Sequence, residues 1–116
     1  MAHPIQGLIK YHGLKNPRLR IPYHDSISVC IKALTTVTTV EASGALKKNK
    51  IMINGREPVG KDKERVETVL GKLKRLARFS GGFKVVSENS LKLGKGLGFS
   101  ASGFAALGLA TSNALS

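Results

Sequence analysis

The run Gly94-Lys95-Gly96-Leu97-Gly98-Phe99-Ser100-Ala101-Ser102-Gly103, followed by Phe104-Ala105-Ala106-Leu107-Gly108-Leu109-Ala110, constrains this chain more than any other stretch. Glycines and a lysine give way to small apolar residues. The pattern predicts a loop running into the N-terminus of a buried helix. Closely spaced glycines let successive N–H groups converge, because no Cβ blocks the turn. The helix start adds unpaired N–H groups and a partial positive charge. Together they suit an anion, most often a phosphate. Ser100 and Ser102 offer hydroxyls to a phosphate oxygen or a Mg²⁺. The order is not that of a Walker A loop, in which Gly-Lys is followed by Ser or Thr. A plain Gly/Ser linker before a packed helix is the other reading. Gly103, Ala105, Ala106 and Gly108 suit close packing under both.

A formal net charge of +12, from 19 basic and 7 acidic residues, calls for a polyanionic partner. Nucleic acid, small phosphorylated substrates with ATP, and an acidic remainder of the same polypeptide all meet that need. The cations are spread along the chain and form no basic arm, which disfavours nucleic acid. At 116 residues and 41% hydrophobic, the chain is expected to form one small folded domain. No apolar run is long enough to span a bilayer, and no secretory leader opens the sequence, so a cytoplasmic protein without membrane contact is expected. The single cysteine, Cys30, falls in an apolar strand pattern and reads as a buried, inert thiol.

In chain order, Ile5, Leu8 and Ile9 mark a short strand, and Gly13 with Asn16-Pro17 marks a loop. Arg18-Leu19-Arg20-Ile21 reads as a second short strand stopped by Pro22. Residues 26–31 alternate as a half-buried strand, and Val37–Val40 reads as a β-branched neighbour. Lys47-Lys48-Asn49-Lys50 reads as a solvated hairpin turn before a strand at Ile51-Met52-Ile53, with Asn54-Gly55 as the next turn. From Asp62, an expected N-cap, the period becomes helical: Val66, Val69, Leu70, Leu73, Leu76 and Ala77 share a face. Lys72, Lys74, Arg75 and Arg78 come late in this helix, where cations suit its dipole. Phe83–Val86 is a further strand. The order predicts an α+β domain with a mixed or antiparallel sheet packed against helices.

These residues carry a resemblance. The glycine-serine loop and its helix resemble the phosphate loop of the GHMP kinase superfamily. Ile9-Lys10-Tyr11-His12-Gly13 resembles the Ile-Lys-Tyr-Trp-Gly segment of diphosphomevalonate decarboxylases. Ile21-Pro22-Tyr23-His24-Asp25-Ser26-Ile27-Ser28-Val29 resembles that family's Leu-Pro-x-Asn-x-Ser-x-Ser-Val. Ile53-Asn54-Gly55-Arg56-Glu57 and the basic helix ending Arg75-Leu76-Ala77-Arg78 are similar to it as well. The Lys-Tyr-His-Gly and Pro-Tyr-His-Asp-Ser variants are most similar to the archaeal phosphomevalonate decarboxylases. Residues 1–116 are thus expected to form the N-terminal GHMP-kinase domain, a ribosomal-protein-like architecture, in truncated form.

The resemblance implies ATP-dependent decarboxylation on the mevalonate route to isoprenoids. It implies ATP and Mg²⁺ as cofactors, with phosphorylated mevalonate as substrate. Lys10 matches the family lysine near the reacting carboxylate and hydroxyl. Tyr11, His12, His24 and Ser26 match positions bordering the substrate, although Asp25 beside them is equally a turn acid. Ser100 matches the serine touching ATP phosphate or its metal. Lys95, Gly96, Gly98, Ala101, Ser102 and Gly103 complete the phosphate loop. Leu14 stands where the diphosphomevalonate enzymes carry a second lysine, which points to mevalonate 5-phosphate and isopentenyl phosphate; mevalonate 5-diphosphate is the alternative, with Lys15 as a compensating cation. Phe99 replaces the first of two loop serines, and Leu91-Lys92-Leu93 lacks the family's proline. The family's catalytic aspartate lies downstream of the loop helix, and none of the seven acids here matches it. The chain alone is therefore expected to be inactive, joined by a separate C-terminal half or by self-association. A small basic nucleic-acid-binding protein is the reading from another class, disfavoured by few stacking rings: two Tyr, four Phe and no Trp.

Overall fold

The computed structural model describes residues 1–10, 12–91 and 97–116. Among the described residues, seven strands and two helices follow in the order β1 Ile5–Ile9, β2 Leu14–Asn16, β3 Ile21–Pro22, β4 Ile27–Cys30, β5 Thr36–Ser43, β6 Lys50–Ile53, α1 Gly60–Leu76, β7 Gly82–Asn89 and α2 Phe99–Ala114. The main sheet has the order β5-β7-β6, with β7 antiparallel to β5 and parallel to β6. Both helices cover one face of it. The core between them is Ile51, Val66, Leu70, Phe83, Val85 and Leu107. Mixed pairing with helices on one face is the expected α+β class.

The sheet order overturns the hairpin expected at Lys47–Lys50. β7 lies between β5 and β6, so this segment carries the chain past the end of a third strand. Asn49 fixes the crossing: its Oδ1 accepts the Phe83 N–H at 2.9 Å and its Nδ2 donates to Glu67 at 2.6 Å. Gly82 leaves room for it, since a Cβ there would sit 2.9 Å from the Leu46 and Lys48 carbonyl oxygens.

The N-terminal third forms two small ribbons, β1-β4 and β2-β3. Several expectations fail here: Arg18–Arg20, expected as strand, form a turn. Leu14–Asn16, taken as loop, is β2, and its partner strand is Ile21–Pro22, so Pro22 lies inside a pairing. Every residue of β4 is exposed, Cys30 included, so the buried thiol is also corrected. Among the described residues, β4 pairs with β1 alone. Alternation specifies which residues share a face; it does not supply a layer to cover that face.

Helix α1 starts before Asp62. Val59 is its N-cap, in extended conformation and with no side-chain cap bond, and Asp62 sits in the first turn, where its charge suits the dipole. Of the expected apolar face, Val66 and Leu70 are buried, whereas Leu76 is 79% exposed because the core ends before the last turn. Helix α2 begins at Phe99, so Ser100, Ala101, Ser102 and Gly103 belong to its opening turns and not to the loop before it. Among the described residues, no helix is long and apolar enough to cross a membrane.

Candidate functional site

The N-terminus of α2 is anchored on two sides. Gly98, its N-cap, has φ 74° and lies against the backbone of Ile5 in β1. A Cβ at Gly98 would overlap the Ile5 carbonyl oxygen, so the helix can meet the strand this closely only through glycine. On the other side a buried polar line ties α2 to the sheet. Ser102 Oγ is 2.7 Å from Thr36 Oγ1, and Thr36 Oγ1 donates to Asn89 Oδ1 at 2.7 Å. Thr36 has one hydroxyl hydrogen, which Asn89 receives, so Ser102 is the donor to Thr36. Thr36 and Ser102 are 0% and 1% exposed. The Asn89 N–H in turn donates to Asn54 Oδ1 at 2.9 Å.

This arrangement separates the two serines. The Ser102 hydroxyl points into the sheet and is spent on Thr36, so the expectation that it faces a phosphate is corrected. Ser100 is exposed and lines a cavity of about 410 Å³. The first amides of α2 divide in the same way. Those of Ala101 and Ser102 donate to the Gly98 carbonyl at 3.1 and 3.5 Å. Those of Phe99 and Ser100 have no acceptor among the described residues. Among the described residues, two unpaired N–H groups and the exposed Ser100 hydroxyl therefore meet at the positive end of a helix.

The cavity lies between the sheet and the N-terminal turns of both helices. Phe99, Gly103, Phe104 and Leu107 form its α2 wall, with Ile51, Ile53 and Val85 beneath. Arg56 and Arg65 line it, along with Asp62. The sequence reading assigned none of these three to a site. Arg56 had a signal: it follows Asn54-Gly55, both at positive φ, and the Ile53 and Arg56 backbones bond reciprocally at 2.8 and 3.1 Å. The tight turn that this dipeptide predicts thus holds a guanidinium at the cavity. Arg65 had none beyond its place one turn into α1. Near the rim Lys63 donates to Glu57 at 2.7 Å, which holds the Glu57 carboxyl below its ordinary value and the Lys63 ammonium above its own.

Of the residues matched to the substrate, Lys10, His12, His24 and Ser26 lie just beyond the Ile9–Ile27 end of the β1-β4 ribbon. Lys10 follows β1 and is exposed; its stem folds back over Gly7, where a Cβ would come within 3.0 Å of its Cγ and Cε. Gly7 is two residues from Ile5, about 7 Å along the strand, so the stem runs toward the α2 N-terminus. The pairing of Ile9 with Ile27 carries Ser26 alongside Lys10. His24 joins the two connections at that end. Its Nε2 accepts the His12 N–H at 3.4 Å, and its Nδ1 is 2.9 Å from the Asp25 carbonyl oxygen. A carbonyl only accepts, so Nδ1 carries the proton and both ring nitrogens are engaged with backbone. His24 therefore clips the loop. Tyr11, Lys95 and Gly96 lie outside the described residues.

A match to the family described as diphosphomevalonate decarboxylase-like N-terminal domain spans residues 2–116. The chain belongs to this family. Phosphomevalonate decarboxylase of Haloferax volcanii is 45% identical over 113 residues, covering 97% of this chain and 35% of that protein. Diphosphomevalonate decarboxylase of Saccharomyces cerevisiae is 31% identical over 113 residues, covering 85% and 28%. Among solved structures, mevalonate diphosphate decarboxylase of Enterococcus faecalis superposes with a TM-score of 0.84 at 33% identity, over 98% of this chain and 36% of that one. A complex of MDDEF with MVAPP, AMPPCP and magnesium superposes equally, with a TM-score of 0.84 at 33% identity, covering 98% and 35%. This member of the diphosphomevalonate decarboxylase-like family thus spans about a third of the length of the relatives it matches.

Proposed function

We propose that this chain supplies the nucleotide and substrate face of an ATP-dependent decarboxylase that converts mevalonate 5-phosphate to isopentenyl phosphate. The observation that supports this most is the abutment of the α2 N-terminus on β1, the strand that leads to Lys10. In this reading the ATP phosphates lie against the Phe99 and Ser100 N–H groups and the opening turns of α2 through Gly103, and Lys95, Gly96 and Gly98 complete the proposed contacts. The Ser100 hydroxyl meets a phosphate oxygen or Mg²⁺. The cavity lining suits both ions: the Phe99 and Ser100 amides, a hydroxyl and two arginines suit a phosphorylated anion, and the hydroxyl with the carboxylates of Asp62 and Glu57 suits a hard cation. Magnesium held there would offset phosphate charge during transfer to the 3-hydroxyl. Lys10 serves the carboxylate and hydroxyl of the substrate, which Tyr11, His12 and Ser26 border.

Two observations favour the monophosphate. The Haloferax relative is a phosphomevalonate decarboxylase. Leu14 is half-buried and pairs with Pro22, so this position offers no second cation. Isothermal titration of the chain tests the reading. Mg–ATP and mevalonate 5-phosphate are expected to bind, the latter more tightly than the 5-diphosphate. Ser100→Ala is expected to weaken ATP about tenfold, as removal of a hydrogen bond to a charged group does. Lys10→Ala should weaken the mevalonate ligand alone. The chain by itself turns over neither substrate. Tighter binding of the diphosphate rejects the monophosphate assignment, and absence of nucleotide affinity rejects the whole reading.

A further inference from the structure

The net charge is not spread through space as it is along the chain. Segments 43–50 and 71–84 pack together at the C-terminal end of α1, where Gly82 meets the carbonyls of Leu46 and Lys48 and where Asn49 reaches both Phe83 and Glu67. The first segment brings Lys47, Lys48 and Lys50. The second brings Lys72, Lys74, Arg75 and Arg78 on and just beyond the helix, and Lys84 on β7. These are eight of the 19 cations, and none of the 7 acids lies in either segment. Seven are exposed and Lys74 is half-buried. None is ion-paired among the described residues. Lys50 and Lys84 are direct cross-strand partners, but they alternate with Ile51 and Val85 and so lie on the sheet face opposite the helices, where Glu41 on β5 is the direct partner of Lys84. The pole at the end of α1 is therefore Lys47, Lys48, Lys72, Lys74, Arg75 and Arg78, with Glu67, held by Asn49, as the nearby acid on the helix.

This pole does not serve the candidate site. Asp62 lines the cavity and Arg75 belongs to the pole; they are about 20 Å apart along α1. That exceeds twice the screening length of about 8 Å at physiological salt. We propose that the pole binds the phosphate backbone of a nucleic-acid duplex, independently of sequence. Four of these six cations are lysines, which suit phosphates as point charges and are depleted in protein–protein interfaces. The aromatic rings here, Phe79 and Phe83, pack on one another at 5.4 Å, with Phe83 in the core, and offer no stacking platform for single strands.

The test uses the whole chain and a fluorescein-labelled DNA duplex, followed by anisotropy. Contact with four to six phosphates predicts that affinity falls about 10²–10³-fold between 50 and 200 mM salt. Reversing four charges (Lys47→Glu, Lys48→Glu, Lys72→Glu, Arg75→Glu) should lower affinity more than 100-fold and flatten the salt dependence, while ATP binding is kept. If that variant fails to fold, the same four positions changed to Gln give the comparison. Mg–ATP should not compete with the duplex. No binding at low salt, or affinity unmoved by the substitutions, overturns the proposal. So does competition by ATP, which would place the duplex in the cavity. Tighter binding of polyglutamate of equal charge also overturns it and identifies an acidic polypeptide as the partner.

Discussion

Replacing Thr36 by Val removes the central member of the buried line Ser102–Thr36–Asn89 with almost no change in shape. Two hydrogen bonds of 2.7 Å are lost. Each contributes about 1 kcal/mol net. Ser102 can turn its hydrogen to the Phe99 carbonyl at 3.1 Å, so it is not orphaned, but Asn89 Oδ1 loses its donor. The loss should therefore be about 2–3 kcal/mol, with partial desolvation of Asn89 setting the upper end. For a chain of this size, that lowers the melting temperature by roughly 8–12 °C. Ser102→Ala should lose about 1 kcal/mol, because Thr36 keeps Asn89 as acceptor. The double variant should fall short of the sum by about 1 kcal/mol, since the bond joining the two sites is lost only once. Thermal unfolding by circular dichroism reads all three variants. Amide exchange at Ser102 and Gly103 should also quicken in Thr36→Val, because the first turn of α2 loses its tie to the sheet. A loss below about 0.5 kcal/mol, or strict additivity of the two changes, would refute the proton assignment along this line.

Gly98→Ala introduces a Cβ at φ 74° against the Ile5 carbonyl, so a loss above about 2 kcal/mol and weaker ATP binding are expected in the same melting and titration assays. His24→Gln should retain the His12 N–H bond, because Oε1 of glutamine reaches the place of Nε2; His24→Ala should lose it. The readout is the His12 amide proton shift and its exchange rate, and an unmoved amide in His24→Ala rejects the clip. The Glu57 carboxyl, followed by NMR titration, should titrate below the ordinary glutamate range, and Lys63→Met should return it to that range. A lowered carboxyl stabilises above its ordinary range and loses the effect as pH falls through the folded value. Because both groups are exposed, the melting temperature should scarcely differ between wild type and Lys63→Met at any pH.

Local chemistry made several elements legible. Asn54-Gly55 predicts a tight turn, and the chain makes one there, with Arg56 delivered to the cavity as a result. The small-residue run after Gly98 predicts a closely packed helix, and α2 lies on β5 and β7 with Ala106 and Leu107 buried. What stayed illegible depends on residues far apart in sequence. A polar run such as Lys47–Lys50 is identical whether it reverses the chain or carries it past a third strand. The deciding contacts are those of Asn49 with Phe83 and Glu67, residues 34 and 18 positions away. Ser100 and Ser102 look interchangeable until Thr36, 66 residues from Ser102, claims one of them.

Charge illustrates the same limit with a consequence for function. Read along the chain, the basic residues form no block, and that argued against a polyanion beyond substrate and nucleotide. Folding joins two segments that hold no acid, with Glu67 and Glu41 only at their borders, because the crossing at Asn49 lays one segment beside the C-terminal turn of α1. Coulomb energy depends on separation in space, and at the reach of a Debye length only neighbours in the fold count. A cationic pole assembled this way is invisible to any window along the sequence. It also lies too far from the cavity to neutralise what binds there. Under the proposed function, substrate and nucleotide charge account for Lys10, Arg56 and Arg65, and the pole at the other end of α1 is left for the second anion proposed above.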